Sequence, residues 1–281
     1  MTNVNKTAGF FGKPKAINPI AKEVKDVFDG VYAQTQSFAI NKTSAINGLI
    51  VSGDAGTGKT FTVKKALFDA NVTQHVEYIK GGKVTAANLY VKLYLNRAKH
   101  RIIVLDDVDV IHHADRNQII PMLLGATELG QNREVTWETT KKNALMEEHA
   151  VPHSFKFNGT IIWITNDRKE DILKKCKQWA LAIDSRFNFA TCRFTPEQKL
   201  MYTLYLCEDV GMLNGKCVDH KQADGTPGYP IEDIENALAY INKYYRNLVE
   251  ITPRIALRIC DTFHYQPKDV RKSILQQMWQ S

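Results

Sequence analysis

Long apolar runs are missing from this sequence. No stretch approaches the roughly 20 consecutive apolar residues that a membrane span requires, and the opening segment MTNVNKTAGFFGKPKAINP lacks the apolar centre of a signal peptide. Both absences predict a globular, soluble, cytoplasmic protein. Cysteine is scarce: there are five, an odd number, with no C-x-x-C pair. That count suits reduced thiols in a cytosol better than a disulfide framework. Cys207, Cys217 and His220 do not complete a tetrahedral set with zinc-finger spacing. Internal repeats and low-complexity tracts are also absent, which excludes solenoids and fibrous arrays. Charge of one sign is not in large excess. The formal net charge of +7 over 281 residues favours polyanionic partners only weakly, because a solvated basic surface accounts for it as well.

What the sequence does contain is an alternation of short apolar runs with helical patterns. GLIV from Gly48, HVEYI from His75, IIVL from Ile102 and TIIWIT from Thr160 read as strands. Helical spacing covers Lys59 to Ala70 and Ala86 to Ala98, the latter with apolar residues at Ala86, Leu89, Tyr90, Leu93 and Tyr94. Continuous apolar strands alternating with helices predict an α/β fold, a parallel sheet covered by helices on both faces. An amphipathic run from Ile20 to Tyr32 precedes it. After Thr195 the strand signals stop, and helices are predicted over Pro196 to Val210, Ile231 to Leu248, Pro253 to Phe263 and Pro267 to Trp279. The last two place proline at the first helical position, where its missing N–H costs nothing. The expected division is an α/β domain over 1–194, with an N-terminal segment 1–45, followed by a small all-helical domain over 195–281.

One interruption stands out. The segment 132–159 separates a helix from the next core strand, and EVTWET and HSFKF within it alternate like two ribbon strands around a charged middle. Connections of this length are usually functional or disordered.

The chemistry concentrates in GDAGTGKT. Gly53, Gly58, Lys59 and Thr60 satisfy G-x-x-x-x-G-K-[ST], after a strand and before a helix, which is the context a phosphate-binding loop needs. There the backbone N–H groups hold phosphate oxygens at the positive end of the helix dipole, and Gly56 and Gly58 keep that approach clear. The expected nucleotide contacts are Gly53, Asp54, Ala55, Gly56, Thr57, Gly58, Lys59, Thr60 and the following Phe61. Lys59 is expected to bridge the outer phosphates and Thr60 to hold Mg²⁺. RIIVLDDVD supplies the second half of such a site: Asp106 at a strand end to hold the metal, and Asp107 to polarise the attacking water. Asp109, His112 and His113 read as exposed or structural.

Together these motifs resemble the AAA+ ATPases, with GDAGTGKT as Walker A and IIVLDD as Walker B. TIIWITND resembles the sensor 1 strand, which implies that Asn166 orients the attacking water; its plain alternative is a cap for the segment that follows. AIDSRFNF resembles the segment that carries an arginine finger into a neighbouring subunit, here Arg186; the alternative is a surface pairing with an acid such as Asp184. ITPRIALRI resembles sensor 2, which implies Arg254 on the phosphates, with Arg258 as its rival. The resemblance implies ATP and Mg as cofactors, a P-loop parallel sheet with a helical lid, and a homo-oligomeric ring or spiral. Many relatives carry Asp-Glu where this chain has Asp106-Asp107.

For the load, the segment YIKGGKVTAAN offers lysines and glycines where protein-unfolding relatives carry an aromatic residue. Lys80, Lys83, Lys141 and Lys142, with Trp137, are candidate nucleic-acid contacts, although Trp137 can equally pack on the body. The expectation is an ATP-hydrolysing AAA+ motor or loader on nucleic acid, of the compact type found in bacteriophage and bacterial replication. The alternatives are a protein-remodelling chaperone and an ATP-gated structural subunit.

Overall fold

The computed structural model describes residues 17–40, 46–82, 84–130, 133–137, 144–216, 222 and 226–279. They divide into two units, Val27–Arg193 and a second made of Phe194 onward together with the stretch up to Asp26.

The larger unit is built on five parallel strands: β1 (Gly48–Gly53), β2 (Val76–Gly82), β3 (Ile102–Val108), β6 (Thr160–Thr165) and β7 (Phe187–Cys192), in the order β2-β3-β6-β1-β7. Every residue of β1 and β6 is buried, as expected of inner strands covered on both faces. Helices α2 (Lys59–Asp69), α3 (Ala86–Leu95), α4 (Arg116–Ala126), α6 (Lys169–Lys175) and α7 (Ala180–Arg186) connect them. The core includes Ile50, Leu89, Tyr90, Ile103, Leu105, Ile119 and Trp163. The predicted fold class is therefore observed, with one strand more than the sequence suggested. β7 escaped notice because FNFATC is only partly apolar: it lies outside β1, with Asn188 and Phe189 half-buried and Thr191 exposed.

Helix α1 (Pro19–Ile40) is longer than the amphipathic run that announced it, and buries Ala21, Val24, Phe28, Val31, Thr35 and Phe38 at three-and-four spacing. Within the segment 132–159, the ribbon forms as expected. β4 (Glu134–Thr136) and β5 (Ser154–Lys156) pair antiparallel with Val135 opposite Phe155, and a short helix α5 (Ala144–Glu148) lies between them. Trp137 packs on the body: its ring centroid lies 5.3 Å from that of the fully buried Tyr90, which also meets Phe155 at 5.1 Å. The Tyr90 hydroxyl donates to the Pro152 carbonyl at 3.0 Å, and burial pushes its pKa up to about 12. Trp137 is therefore spent on packing rather than held out for a ligand.

The helical unit contains α8 (Pro196–Glu208), α9 (Ile231–Tyr244), α10 (Pro253–Tyr265) and α11 (Lys268–Gln276), around Leu200, Leu213, Ala237, Ile241, Ile255, Ile259 and Leu275. Thr195 and Gln198 form a reciprocal capping box, with Pro196 in the first turn. Thr252 caps α10 through the Ile255 N–H, with Pro253 following. Two expectations are corrected. Pro267 is the N-cap of α11 rather than its first helical residue, and α9 ends at Tyr244, so that Leu248 instead bridges to Trp279. No helix among the described residues is long and apolar enough to cross a membrane.

Candidate active site

The parallel sheet sends the ends of β1, β3, β6 and β7 to one edge, and the residues just beyond them converge there. β1 runs into the phosphate-loop motif with its final residue, Gly53, paired with Cys192 of β7. At Gly53 φ is +152°, and a Cβ would lie 2.1 Å from the Cys192 carbonyl oxygen, so only glycine allows the two backbones to approach this closely. Gly58 is the N-cap of α2 in the left-handed region (φ +111°), and no side chain caps the helix. That helix terminus therefore presents N–H groups and a positive dipole with no acidic residue in its own first turn.

Lys59 is 5% exposed. Its ammonium donates to the carbonyls of Gly53 at 2.9 Å and Asp54 at 2.7 Å, and to Asn166 Oδ1 at 2.9 Å. Burial lowers its pKa, opposed chiefly by the negative charge of Asp107. Thr60 Oγ1 donates to Asp106 Oδ1 at 2.6 Å. Asp106 is buried and Asp107, the next residue, is exposed. Asp107 adopts φ +55°, a region aspartate tolerates better than most residues. Asn166, one residue past β6, donates from Nδ2 to Asp107 Oδ1 at 3.2 Å while accepting from Lys59. One amide thus joins the loop lysine to the exposed carboxylate. A hydroxyl and a carboxylate side by side are the hard oxygen donors that suit Mg²⁺, and the uncapped helix end with its lysine suits a polyphosphate. The residues present fit both groups.

The other expected site residues share no hydrogen bond with this network among the described residues. The Arg186 guanidinium donates to the Leu124 carbonyl at 3.0 Å and pairs with Glu128 at 2.5 Å. The suggested pairing with Asp184 does not occur, because Asp184 pairs with Lys169 at 2.5 Å. Arg254 is exposed in the first turn of α10, and Arg258 is exposed one turn later, both in the helical unit. Phe61 is exposed directly after the loop. Lys80 is exposed at the end of β2, whereas Lys83, Lys141 and Lys142, like Cys217 and His220, lie outside the described residues. Asp109, His112 and His113 have these contacts. Asp109 accepts the His112 N–H, His113 Nδ1 accepts from the Asp115 N–H, and His112 Nε2 lies 3.1 Å from Asp167 Oδ1.

Two features were not read from the sequence. Cys192 is a buried thiol beside Lys59, pushed up to about 11 by burial. Arg193, which follows it, donates to Asp54 Oδ1 at 2.9 Å and to the Asn166 carbonyl at 3.2 Å. Without β7, nothing in the sequence placed Arg193 beside the loop.

Residues 49–178 match the family described as "ATPase family associated with various cellular activities (AAA)". A protein of Enterobacteria phage T4, the "Uncharacterized 36.7 kDa protein in nrdC-mobD intergenic region", is 31% identical over 220 residues, which are 77% of this chain; the chain spans 63% of the length of that relative. Among solved structures, the RuvB Holliday junction branch migration motor of Thermotoga maritima aligns at 12% identity and TM-score 0.37, over 87% of this chain and 69% of that one. NtrX from Brucella abortus aligns at 11% identity and TM-score 0.45, over 86% of this chain and 53% of that one.

Proposed function

We propose that this chain, whose residues 49–178 match the AAA family of ATPases, binds ATP with magnesium at the Gly53–Thr60 loop, hydrolyses it, and uses the turnover to remodel or load a complex on nucleic acid. The observation that carries the catalytic half is the joined network at the sheet edge. Thr60 is hydrogen-bonded to Asp106, and Asn166 is shared between Lys59 and Asp107. In this reading the N–H groups at the start of α2 and Lys59 bind the phosphates, and Phe61 borders the nucleotide. Thr60 and Asp106 hold the metal, which when bound neutralises charge on the phosphate oxygens. Asp107, exposed and negatively charged, accepts a hydrogen bond from the attacking water, and Asn166 fixes where that water sits. Arg254 acts as a phosphate-sensing cation. Arg186 serves a neighbouring copy's site, which requires a homo-oligomer packed head to tail. The setting is cytoplasmic, in a bacterium or a phage-infected host.

The nucleic-acid half rests on Lys80, exposed at the end of β2 next to Gly81 and Gly82. Both glycines adopt positive φ, and the space where a Cβ would stand is open. A lysine beside two unobstructed glycines at a strand end suits a phosphate backbone, and the net charge of +7 has the matching sign. Phosphate release measured with and without DNA and RNA tests both halves, with Asp107→Ala as control. Turnover stimulated by nucleic acid and lost in Asp107→Ala is the expected result. Turnover without stimulation, and without salt-sensitive DNA binding at low salt, would transfer the load to a protein partner. Equal rates in wild type and Asp107→Ala would remove Asp107 from the chemistry.

A further inference from the structure

Lys59 and Arg193 grip the same two residues. Lys59 bonds the Asp54 carbonyl and the Asn166 side chain, whereas Arg193 bonds the Asp54 side chain and the Asn166 carbonyl. The register explains why. In the parallel pairing of β1 with β7, Gly53 stands opposite Cys192, so the next residues, Asp54 and Arg193, leave the sheet side by side. On the other flank of β1, Ser52 stands opposite Thr165 of β6, so Asn166 leaves the sheet beside the same loop. Arg193 therefore reaches Asp54 and Asn166 together, and its forked guanidinium can hold two acceptors at once where a lysine ammonium is a single point charge.

Its placement is costly to stability. Arg193 Nε is buried and has no hydrogen-bond partner among the described residues, an arrangement that persists where another role maintains it. Arg193 is also the last residue of the α/β unit, and the chain passes into the helical unit at Phe194.

We propose that Arg193 is a positioning residue of the ATP site: through Asp54 it locks the phosphate loop to the Asn166 loop, and so sets where the Asn166 amide stands relative to the outer phosphate. This rests on the ATPase reading above. The substituted positions make the clamp separable from general folding, because Arg193→Gln and Asp54→Asn each remove the ion pair without removing Lys59, Asp107 or Asn166.

The test measures kcat, KM for ATP and the ATP-over-ADP affinity ratio in wild type, Arg193→Gln, Arg193→Lys, Asp54→Asn and the Arg193→Gln/Asp54→Asn double variant, with melting temperatures alongside. Displacing an orienting group by a fraction of an ångström is expected to lower kcat by about tenfold or more, with KM within about threefold of wild type. The preference for ATP over ADP should fall in parallel. Arg193→Lys should recover part of the rate. The double variant should be no worse than the poorer single one, because both changes break one interaction. A merely structural arginine would lower the melting temperature and leave the kinetic split and nucleotide preference unmoved. That outcome, with an active wild type, overturns the clamp alone. A wild type that neither binds nor hydrolyses ATP overturns the ATPase reading and the clamp with it.

Discussion

Asp106→Asn separates the metal-holding role of this carboxylate from its contribution to the fold. The substitution keeps the shape and removes the charge. Asp106 accepts a hydrogen bond of 2.6 Å from Thr60 Oγ1 and is 8% exposed. Hydrogen bonds to charged groups contribute about 1.5–3 kcal/mol against about 0.5–1.5 for neutral ones, so losing the charge costs about 1–1.5 kcal/mol at this contact. Relief of the buried charge offsets part of that. For a protein of this size about 1 kcal/mol corresponds to 2–4 °C in Tm, so the variant should melt within about 5 °C of wild type. Catalysis should suffer far more. With one of the two hard oxygen ligands weakened, turnover should fall by about 100-fold or more, equivalent to about 2.7 kcal/mol of transition-state stabilisation. Nucleotide binding measured in EDTA should stay close to wild type. Thermal unfolding by circular dichroism and phosphate release titrated with Mg²⁺ read the two effects separately. Turnover within threefold of wild type at every Mg²⁺ concentration would refute the assignment of Asp106 to the metal. A Tm loss above 10 °C would show that the carboxylate serves the fold first.

Two other substitutions probe the same edge, and a third probes the proposed subunit contact. Gly53→Ala forces a Cβ to 2.1 Å from the Cys192 carbonyl at φ +152°; it should cost several kcal/mol and abolish nucleotide binding, and a variant with wild-type Tm would contradict the tight β1–β7 approach. Burial holds the Lys59 pKa below its ordinary 10.5, so between those two values the unfolded chain binds the proton that the folded chain has released, and stability rises with pH through that interval. The gap between wild-type and Lys59→Met melting curves should therefore change with pH up to about 10; parallel curves would show that the ammonium is not desolvated. Arg186→Ala breaks a partly exposed pair with Glu128 and should cost about 1 kcal/mol or less while abolishing turnover and sparing ATP binding; wild-type turnover would leave Arg186 with only its contacts to Leu124 and Glu128.

The parts of the site that were legible in the sequence are those whose chemistry lies within one contiguous segment. GDAGTGKT carries its own strand, turn and helix start, and IIVLDD carries a buried strand with its terminal acids, so Lys59, Thr60, Asp106 and Asp107 could be grouped before any fold was known. The helical half was legible for a similar reason, since Thr195-Pro196 and Thr252-Pro253 are local start signals that tertiary packing did not override. What could not be read was pairing. β7 has one inner neighbour and a mixed pattern, so its periodicity does not distinguish it from a loop, and the partners of Arg186 became visible only when α4 and α7 packed. The ribbon of β4 and β5 was recognisable by alternation, but the fate of Trp137 depended on Tyr90, which lies 47 residues away in the chain and is fully buried.

Arg193 shows the same limit most sharply, and also what lifts it. In the sequence it is one more basic residue in a chain with 37 lysines and arginines, and nothing in ATCRFTP marks it. Once Gly53 is paired with Cys192, the register leaves no freedom: the residue after each strand must emerge beside the other, and an aspartate and an arginine in those two places form a pair at 2.9 Å. The glycine that the phosphate loop requires at its first position is thus also the residue that lets β7 come close enough to bring Arg193 to the loop. A side chain at Gly53 would push Cys192 away, and the arginine that follows it would be displaced with it. Gly53→Ala and Arg193→Gln should consequently damage the same step to different depths. The first removes the loop's geometry and nucleotide binding together, whereas the second leaves binding in place and removes only the orientation of Asn166.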